Sequence, residues 1–207
     1  MRISAENSQQ IARKIIKIEP RFREVVSKFG PSPIGVKRPT QSNFESLGQS
    51  ILSQQLSTKA AATIIERVES LSGGRLKAET ISYLRTSQLR SAGCSESKAR
   101  ALLELARAAN DGSLPIRSLN RKDDAEIMEI LMPYYGIGKW TVEMFLIFQL
   151  GRLDIWPTGD LGVRRGWEKV HRMKREVEVA DLERLGEKFS PYRSHLAWYC
   201  WRAHSLY

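Results

Sequence analysis

Two cysteines, three histidines and no long apolar run are what this 207-residue chain is short of. Cys94 and Cys200 stand far apart in the sequence. They offer neither a disulfide framework nor an iron–sulfur cluster, which needs about four thiolates. His171, His195 and His204 are scattered, with no cysteine nearby and no H-x-x-x-H spacing, so no transition-metal site is expected. No stretch approaches the ~20 apolar residues of a membrane span. The first residues, Met1 to Glu6, contain no apolar run of signal-peptide type. The expected setting is the cytoplasm of a prokaryote or the nucleus of a eukaryote, with no membrane association. Period-two alternation, low-complexity tracts and internal repeats are also missing.

Positive charge is plentiful. Lys and Arg number 33 against 23 Asp and Glu, a net charge of +10 with a sequence pI near 9.8. Such a balance suits a polyanionic partner, because each cation set against a phosphate releases condensed counterions. It also serves solubility alone, so charge by itself does not decide the partner. Apolar residues make up 42% and charged residues 27%, ordinary for a globular protein.

Apolar spacing is helical almost everywhere. Ile11, Ile15, Ile18, Phe22, Val25 and Phe29 recur at three- and four-residue steps and predict one helix stopped by Gly30-Pro31-Ser32-Pro33. A second runs from about Phe44 and breaks near Gln54-Gln55-Leu56. Ser57 and Thr58 can cap the next, which Gly73-Gly74 ends. Thr86 opens a short helix closed by Gly93, and Ser95 caps a longer one through Asn110. Asp123-Asp124 place negative charge at the start of a helix that reaches Met132. Lys139 through Leu150 is apolar on most sides, as in a helix buried between lobes. Another helix follows Asp160, Asp181 starts one more, and Tyr192 to His204 is the last. The fold class is all-α, with about ten helices.

Pro133-Tyr134-Tyr135-Gly136-Ile137-Gly138 separates two of these helices. Two glycines around one apolar residue allow a tight hairpin, since Gly tolerates positive φ and close backbone approach. The helix that follows opens on the N–H groups of Gly138, Lys139 and Trp140, a seat for a phosphate, and Lys139 adds charge there. Ile137 would plug the angle between the helices. An ordinary helix–turn–helix corner explains the glycines equally well. Further on comes Leu153-Asp154-Ile155-Trp156-Pro157-Thr158-Gly159-Asp160, an irregular segment ending in a carboxylate. Asp154, between two apolar residues, reads as structural; Asp160, before Leu161-Gly162-Val163, reads as a helix N-cap or as a reactive carboxylate, and can be both.

Taken together, Gly136-Ile137-Gly138-Lys139-Trp140-Thr141 and Trp156-Pro157-Thr158-Gly159-Asp160-Leu161-Gly162 resemble the helix-hairpin-helix DNA glycosylase superfamily. The branch that removes alkylated bases, the 3-methyladenine DNA glycosylase II type, is most similar. Ile51-Leu52-Ser53-Gln54-Gln55-Leu56-Ser57, Pro191-Tyr192-Arg193-Ser194 and Trp198-Tyr199-Cys200-Trp201-Arg202 match that branch as well, with a weaker signature at Gly93, Ser95, Lys98 and Ala99. The likeness spans roughly residues 44 to 202. It implies two helical lobes, 43–159 and 1–42 with 160–207, with the hairpin in the first and an active-site cleft between them.

The resemblance also implies a chemistry: hydrolytic release of an alkylated purine from duplex DNA in base excision repair. Asp160 holds the position of the superfamily's catalytic aspartate. A carboxylate there stabilises the positive charge that builds on the sugar as the N-glycosidic bond breaks, and can orient or deprotonate water. Members that also nick the strand carry a lysine nucleophile where Trp140 stands; an indole forms no Schiff base, so β-lyase activity by that route is not expected. By the same likeness Trp140 and Trp201 are pocket aromatics, with Met144 one turn beyond Trp140. Electron-rich rings favour a cationic alkylpurine. Gln55, or its neighbour Leu56, would fill the hole left by the extruded base. Gly136, Ile137, Gly138, Lys139, Thr141 and Arg164 would hold DNA backbone. Arg165 and Arg193 serve phosphate or fold equally well, and Trp198 pocket or core.

The carbonyls of Met132, Tyr134 and Ile137 would hold a Na+ or K+ ion when DNA is bound; no organic cofactor is implied. Double-stranded DNA with a damaged base is the expected partner, and the protein is expected to be a monomer. Three departures stand out. Tyr135 replaces a proline usual before the hairpin, Phe189 replaces a frequent tryptophan and is expected in the core, and Gly159 stands where some relatives carry a second acid. Two rival readings remain: a glycosylase for deaminated or oxidised bases, and a non-catalytic helix-hairpin-helix DNA-binding protein.

Overall fold

A computed structural model of the chain describes residues 3–206; it is helical, with no β-strand among the described residues. The helices are α1 (Ala5–Ile18), α2 (Arg23–Phe29), α3 (Asn43–Ser53), α4 (Thr58–Leu71), α5 (Ala78–Ile81), α6 (Thr86–Ser91), α7 (Glu96–Asp111), α8 (Asp124–Leu131), α9 (Lys139–Met144), α10 (Leu161–His171), α11 (Val179–Gly186) and α12 (Arg193–Leu206). None of the described helices is long and apolar enough to cross a membrane.

Helix starts follow their capping residues. Ser4, Ser42, Ser57, Ser95, Asp123 and Asp160 each accept, through the side chain, the N–H of the residue three further on. Each such cap stabilises its helix by about 1 kcal/mol against alanine. The single helix expected from Ile11 to Phe29 is instead broken. α1 ends at Ile18, Pro20–Phe22 form a 3-10 turn, and α2 begins at Arg23. Pro20 has no N–H to donate and drives Glu19 to an extended φ of −140°. The apolar rhythm survives the break because Ile11, Ile15, Phe22 and Val25 are all buried.

The helix expected over Lys139–Leu150 also divides. α9 keeps α-geometry to Met144, and Phe145–Gln149 widen into a π turn. The chain then turns back, with Arg152 N–H donating to the Leu146 carbonyl at 2.9 Å.

Two compact units result, one of residues 39–145, the other of 1–38 with 146–207. The second boundary therefore falls at Phe145, not at residue 159. Residues 146–159 are bound to the chain ends: Ser194 N–H donates to Leu153 O at 2.9 Å, Arg193 Nε to Asp154 Oδ1 at 2.7 Å, and Phe148 packs on Trp201. In the middle unit α3 packs on α7, where Gly48 leaves room for Leu76 and Leu102. In the unit of the chain ends, Trp167 is the centre of an aromatic core with Phe22, Trp156 and Phe189. Phe189 is fully buried there, edge-on to Trp167.

His195 on α12 is fully buried, and neither ring nitrogen has a hydrogen-bond partner among the described residues. Burial lowers its pKa from 6.5 to about 4. Between those values the unfolded chain binds a proton that the folded chain refuses, so stability falls as pH drops through the window. The full penalty is roughly 3 kcal/mol. Urea unfolding of wild type and His195→Leu at pH 7 and pH 4.5 should show a smaller acid loss in the variant; equal losses would show that His195 does not titrate as described.

Candidate functional site

In the unit of the chain ends, α10 and α12 present the carboxylate. Asp160 is the N-cap of α10: its Oδ1 accepts Val163 N–H at 2.8 Å and the Trp201 indole Nε1–H, also at 2.8 Å. Both donors fall on one oxygen, which fixes the side-chain torsions. Trp201 reaches it because α10 and α12 run unusually close. A Cβ built at Gly166 would coincide with the Cys200 carbonyl, and one at Gly162 would lie 2.9 Å from Trp201 Cδ1 and 3.2 Å from Asp160 Oδ1. Trp201 is half-buried, and the ring of Phe148 tilts over it at a centroid distance of 5.4 Å. Phe148 is 50% exposed. Cys200 is fully buried, and burial, reinforced by the Asp160 charge, holds its thiol well above the ordinary range. It is no nucleophile.

The segment leading to Asp160 is irregular but pinned. Trp156 Nε1–H donates to the Leu182 carbonyl at 2.9 Å, Ile155 N–H to Ser194 Oγ at 2.9 Å, and Asp160 N–H to Pro157 O at 2.9 Å. Asp154 accepts Arg193 Nε at 2.7 Å, Arg193 Nη2 at 2.8 Å and Ser190 Oγ at 2.8 Å. Burial alone would raise the Asp154 pKa, but the Arg193 guanidinium and the Ser190 hydroxyl outweigh it and hold the carboxyl below its ordinary value. Asp154 is therefore structural, and Arg193 is committed to it. Arg165 is likewise committed, to Glu168 at 3.0 Å and Glu176 at 2.5 Å. Arg164 differs: its Nε is buried without a hydrogen-bond partner among the described residues, while its charge, after the hydrogen bond from Arg165, helps hold the Glu176 carboxyl below its ordinary value. Trp198 is 7% exposed, stacked edge-on against Tyr199, and belongs to the core.

The hairpin lies in the middle unit. Tyr134 N–H donates to Leu131 O and Ile137 N–H to Tyr134 O, each at 3.1 Å, which folds Pro133–Gly138 into two consecutive turns. Only Gly136 uses the left-handed region, at φ +79°, and a Cβ there would approach Ala101 Cβ to 2.8 Å. Gly138 is the extended N-cap of α9, with nothing within 4 Å of a built Cβ, so its side is open. Ile137 is 4% exposed and plugs the corner. Lys139 is mostly exposed, 3.7 Å from the buried Glu143. Trp140 is 41% exposed, with Met144 one turn on. Tyr135, in place of the usual proline, donates the N–H that proline lacks to Glu104 Oε1 at 3.1 Å, and its ring lies 4.2 Å under the Arg100 guanidinium. Two α7 side chains thus brace the hairpin.

Thr141 stands apart from the expected DNA-contacting set. Its side chain is 2% exposed, and its hydroxyl accepts from Gln54 Nε2 at 3.2 Å. Gln55 and Leu56 are exposed at the turn between α3 and α4, and Gln55 has a left-handed φ of +56°. Phe148 and Gln54 were not reached by sequence reasoning. An exposed ring in an otherwise buried apolar run was the only signal for the first; pairing with the hairpin gives no local signal for the second.

Residues 49–191 match the HhH-GPD superfamily of base excision DNA repair proteins, and the chain belongs to that superfamily. It is 31% identical, over all of its own length and 95% of the relative's, to DNA-3-methyladenine glycosylase 1 of Schizosaccharomyces pombe. It is similar to the S. pombe 3-methyladenine DNA glycosylase solved in complex with abasic DNA, with a TM-score of 0.83 and 30% identity over 93% of this chain and 95% of that one. A DNA-3-methyladenine glycosidase from Bacillus halodurans gives a TM-score of 0.78 at 33% identity, over 94% of this chain and 88% of that one.

The approach of α10 to α12 is testable without any substrate. Gly166→Ala would force its methyl into the Cys200 carbonyl and should cost more than about 3 kcal/mol. Gly159→Ala, with nothing within 4 Å, should stay within about 0.5 kcal/mol of wild type. Thermal melting of both variants checks this, and a wild-type melt for Gly166→Ala would refute the close approach.

Proposed function

We propose that this protein is a monofunctional DNA glycosylase of base excision repair, which hydrolyses the N-glycosidic bond of an alkylated purine extruded from duplex DNA. The observation that carries the reading is Asp160, held through one oxygen by Val163 N–H and the Trp201 indole. A carboxylate fixed before the reaction needs no reorganisation when positive charge develops on the sugar. Water oriented or deprotonated by the same group completes the hydrolysis, adding its oxygen to the sugar carbon and leaving the base with the bonding electrons. An alkylated purine carries positive charge already and leaves readily, so no strong general acid is needed. Trp201 and Phe148 supply neighbouring, tilted π-faces in the unit of the chain ends, and the exposed Trp140, with half-buried Met144 one turn on, supplies apolar surface in the middle unit.

Exposed Gly136, Gly138 and Lys139, set by the buried Ile137 between them, would hold the DNA backbone, with Arg164 as a further phosphate contact, and Gln55 with Leu56 would occupy the vacated stack. The carbonyls of Met132, Tyr134 and Ile137 would suit a monovalent cation beside a phosphate. Tyr134 O accepts one N–H and retains a second lone pair for an ion. All of these groups belong to one chain, consistent with a monomer acting on one damaged duplex. Trp140 offers no amine, and Lys139 lies toward Glu143, so strand cleavage through a Schiff base is not part of the reaction.

Asp160→Asn keeps an oxygen for both hydrogen bonds while removing the charge. Release of 3-methyladenine or 7-methylguanine from duplex DNA under single-turnover conditions should fall by about 10²–10⁴-fold. Undiminished release would remove Asp160 from the chemistry. Borohydride should trap no protein–DNA adduct with wild type; a trapped adduct would end the monofunctional reading, and release of oxidised guanine alone would end the alkylation reading.

A further inference from the structure

Within the middle unit, the turn that bears Gln55 and the hairpin are tied by a residue to which the proposed chemistry gives no part. Gln54 Nε2 donates to the Gly136 carbonyl at 2.9 Å and to Thr141 Oγ1 at 3.2 Å. One amide thus joins the end of α3 to both the hairpin and the first turn of α9. Its neighbour Gln55 holds a left-handed φ of +56° without being glycine. Such a conformation is strained for a residue with a side chain and persists only where the surroundings over-determine it.

Those surroundings are visible on α7. Lys98 Nζ donates to the Leu52 carbonyl at 2.7 Å, holding the last turn of α3, and burial lowers the Lys98 pKa below its ordinary value. One turn along α7, Ala101 supports Gly136. The same helix face therefore seats both the turn and the hairpin, and Gln54 closes the third side of that arrangement. Gln55 and Leu56 are left exposed at the apex.

We infer that Gln54 is a positioning residue: it sets the register between the turn that enters the base stack and the hairpin that holds the backbone. The inference rests on the proposed function, since register matters only if one element grips DNA while the other inserts. A phosphate grip and an inserted side chain must act at a fixed separation along the duplex. A turn free to slide against the hairpin would still bind DNA but would extrude the base less often.

Two near-isosteric variants test it. Gln54→Met keeps the length and removes the donor; Gln54→Glu keeps the shape but sets a carboxylate against the Gly136 carbonyl. Single-turnover release of 7-methylguanine, fluorescence of 2-aminopurine beside the lesion, and affinity for undamaged duplex are measured together. Release and base-extrusion signal should drop about tenfold for Gln54→Met and further for Gln54→Glu, with affinity for undamaged duplex within twofold of wild type. Wild-type release by both variants would overturn the inference alone. A parallel loss of duplex affinity and melting temperature would overturn it too, by reducing Gln54 to a fold contact. No release by the wild-type protein would overturn the proposed function and this inference with it.

Discussion

The candidate site depends on the absence of one side chain at the crossing of α10 and α12. At Gly166 the backbone of α10 lies against the Cys200 carbonyl so closely that no Cβ fits. Such an approach of two helices is available only to glycine, and it brings the whole of α12 nearer to α10 than any other residue would permit. One turn nearer the start of α10, Gly162 leaves space for the Trp201 ring. The indole then reaches Asp160. Packing, capping and chemistry are thus consequences of the same spacing, and Asp160 inherits its rigidity from a contact two turns away.

The middle unit solves a similar problem with a different helix. Ala101 is small and Gly136 has no side chain, so the hairpin sits directly on α7. Arg100 and Glu104, one turn apart, then grip Tyr135 from the exposed side. A proline would stiffen this corner through its ring; here an N–H bond and a cation–π contact do so from outside. The departure at Tyr135 therefore leaves the hairpin braced, by groups whose hold weakens with salt as a covalent ring would not.

How far these features were legible depends on the range of the interactions behind them. Helix starts at Ser57, Ser95 and Asp123 depend on a side chain and an N–H three residues away, so sequence alone located them, whereas the cap at Ser42 was not singled out. The Gly136–Gly138 corner and the carboxylate at Asp160 were legible for the same reason, aided by their likeness to a known family. The break at Pro20 was missed because the apolar rhythm runs through it undisturbed. The π turn at Phe145–Gln149 has no periodic signature, and it carried the unit boundary earlier than expected. Thr141 looked like a backbone contact from its place beside the hairpin. Only the long-range bond from Gln54 shows why its side chain is turned inward. Arg165 and Arg193 became distinguishable from Arg164 only when their carboxylate partners were seen.

Asp160 is both N-cap and candidate reactive group, and these roles are compatible for a geometric reason. A carboxylate has two oxygens and about four acceptor directions. Val163 N–H and the Trp201 indole both address Oδ1, so one oxygen serves the cap and the crossing helix together. A neutral indole donor fixes orientation without supplying the full positive charge that an arginine or lysine would bring. Asp154 shows the contrast: Arg193 engages both of its oxygens and neutralises its charge. Of two carboxylates on one short segment, Asp154 is tied by Arg193 to the fold of the chain ends, and Asp160 is tied by Val163 N–H and the Trp201 indole to the crossing of α10 and α12. The chemistry proposed for Asp160 thus rests on a side chain held in place by the same packing that closes α10 on α12.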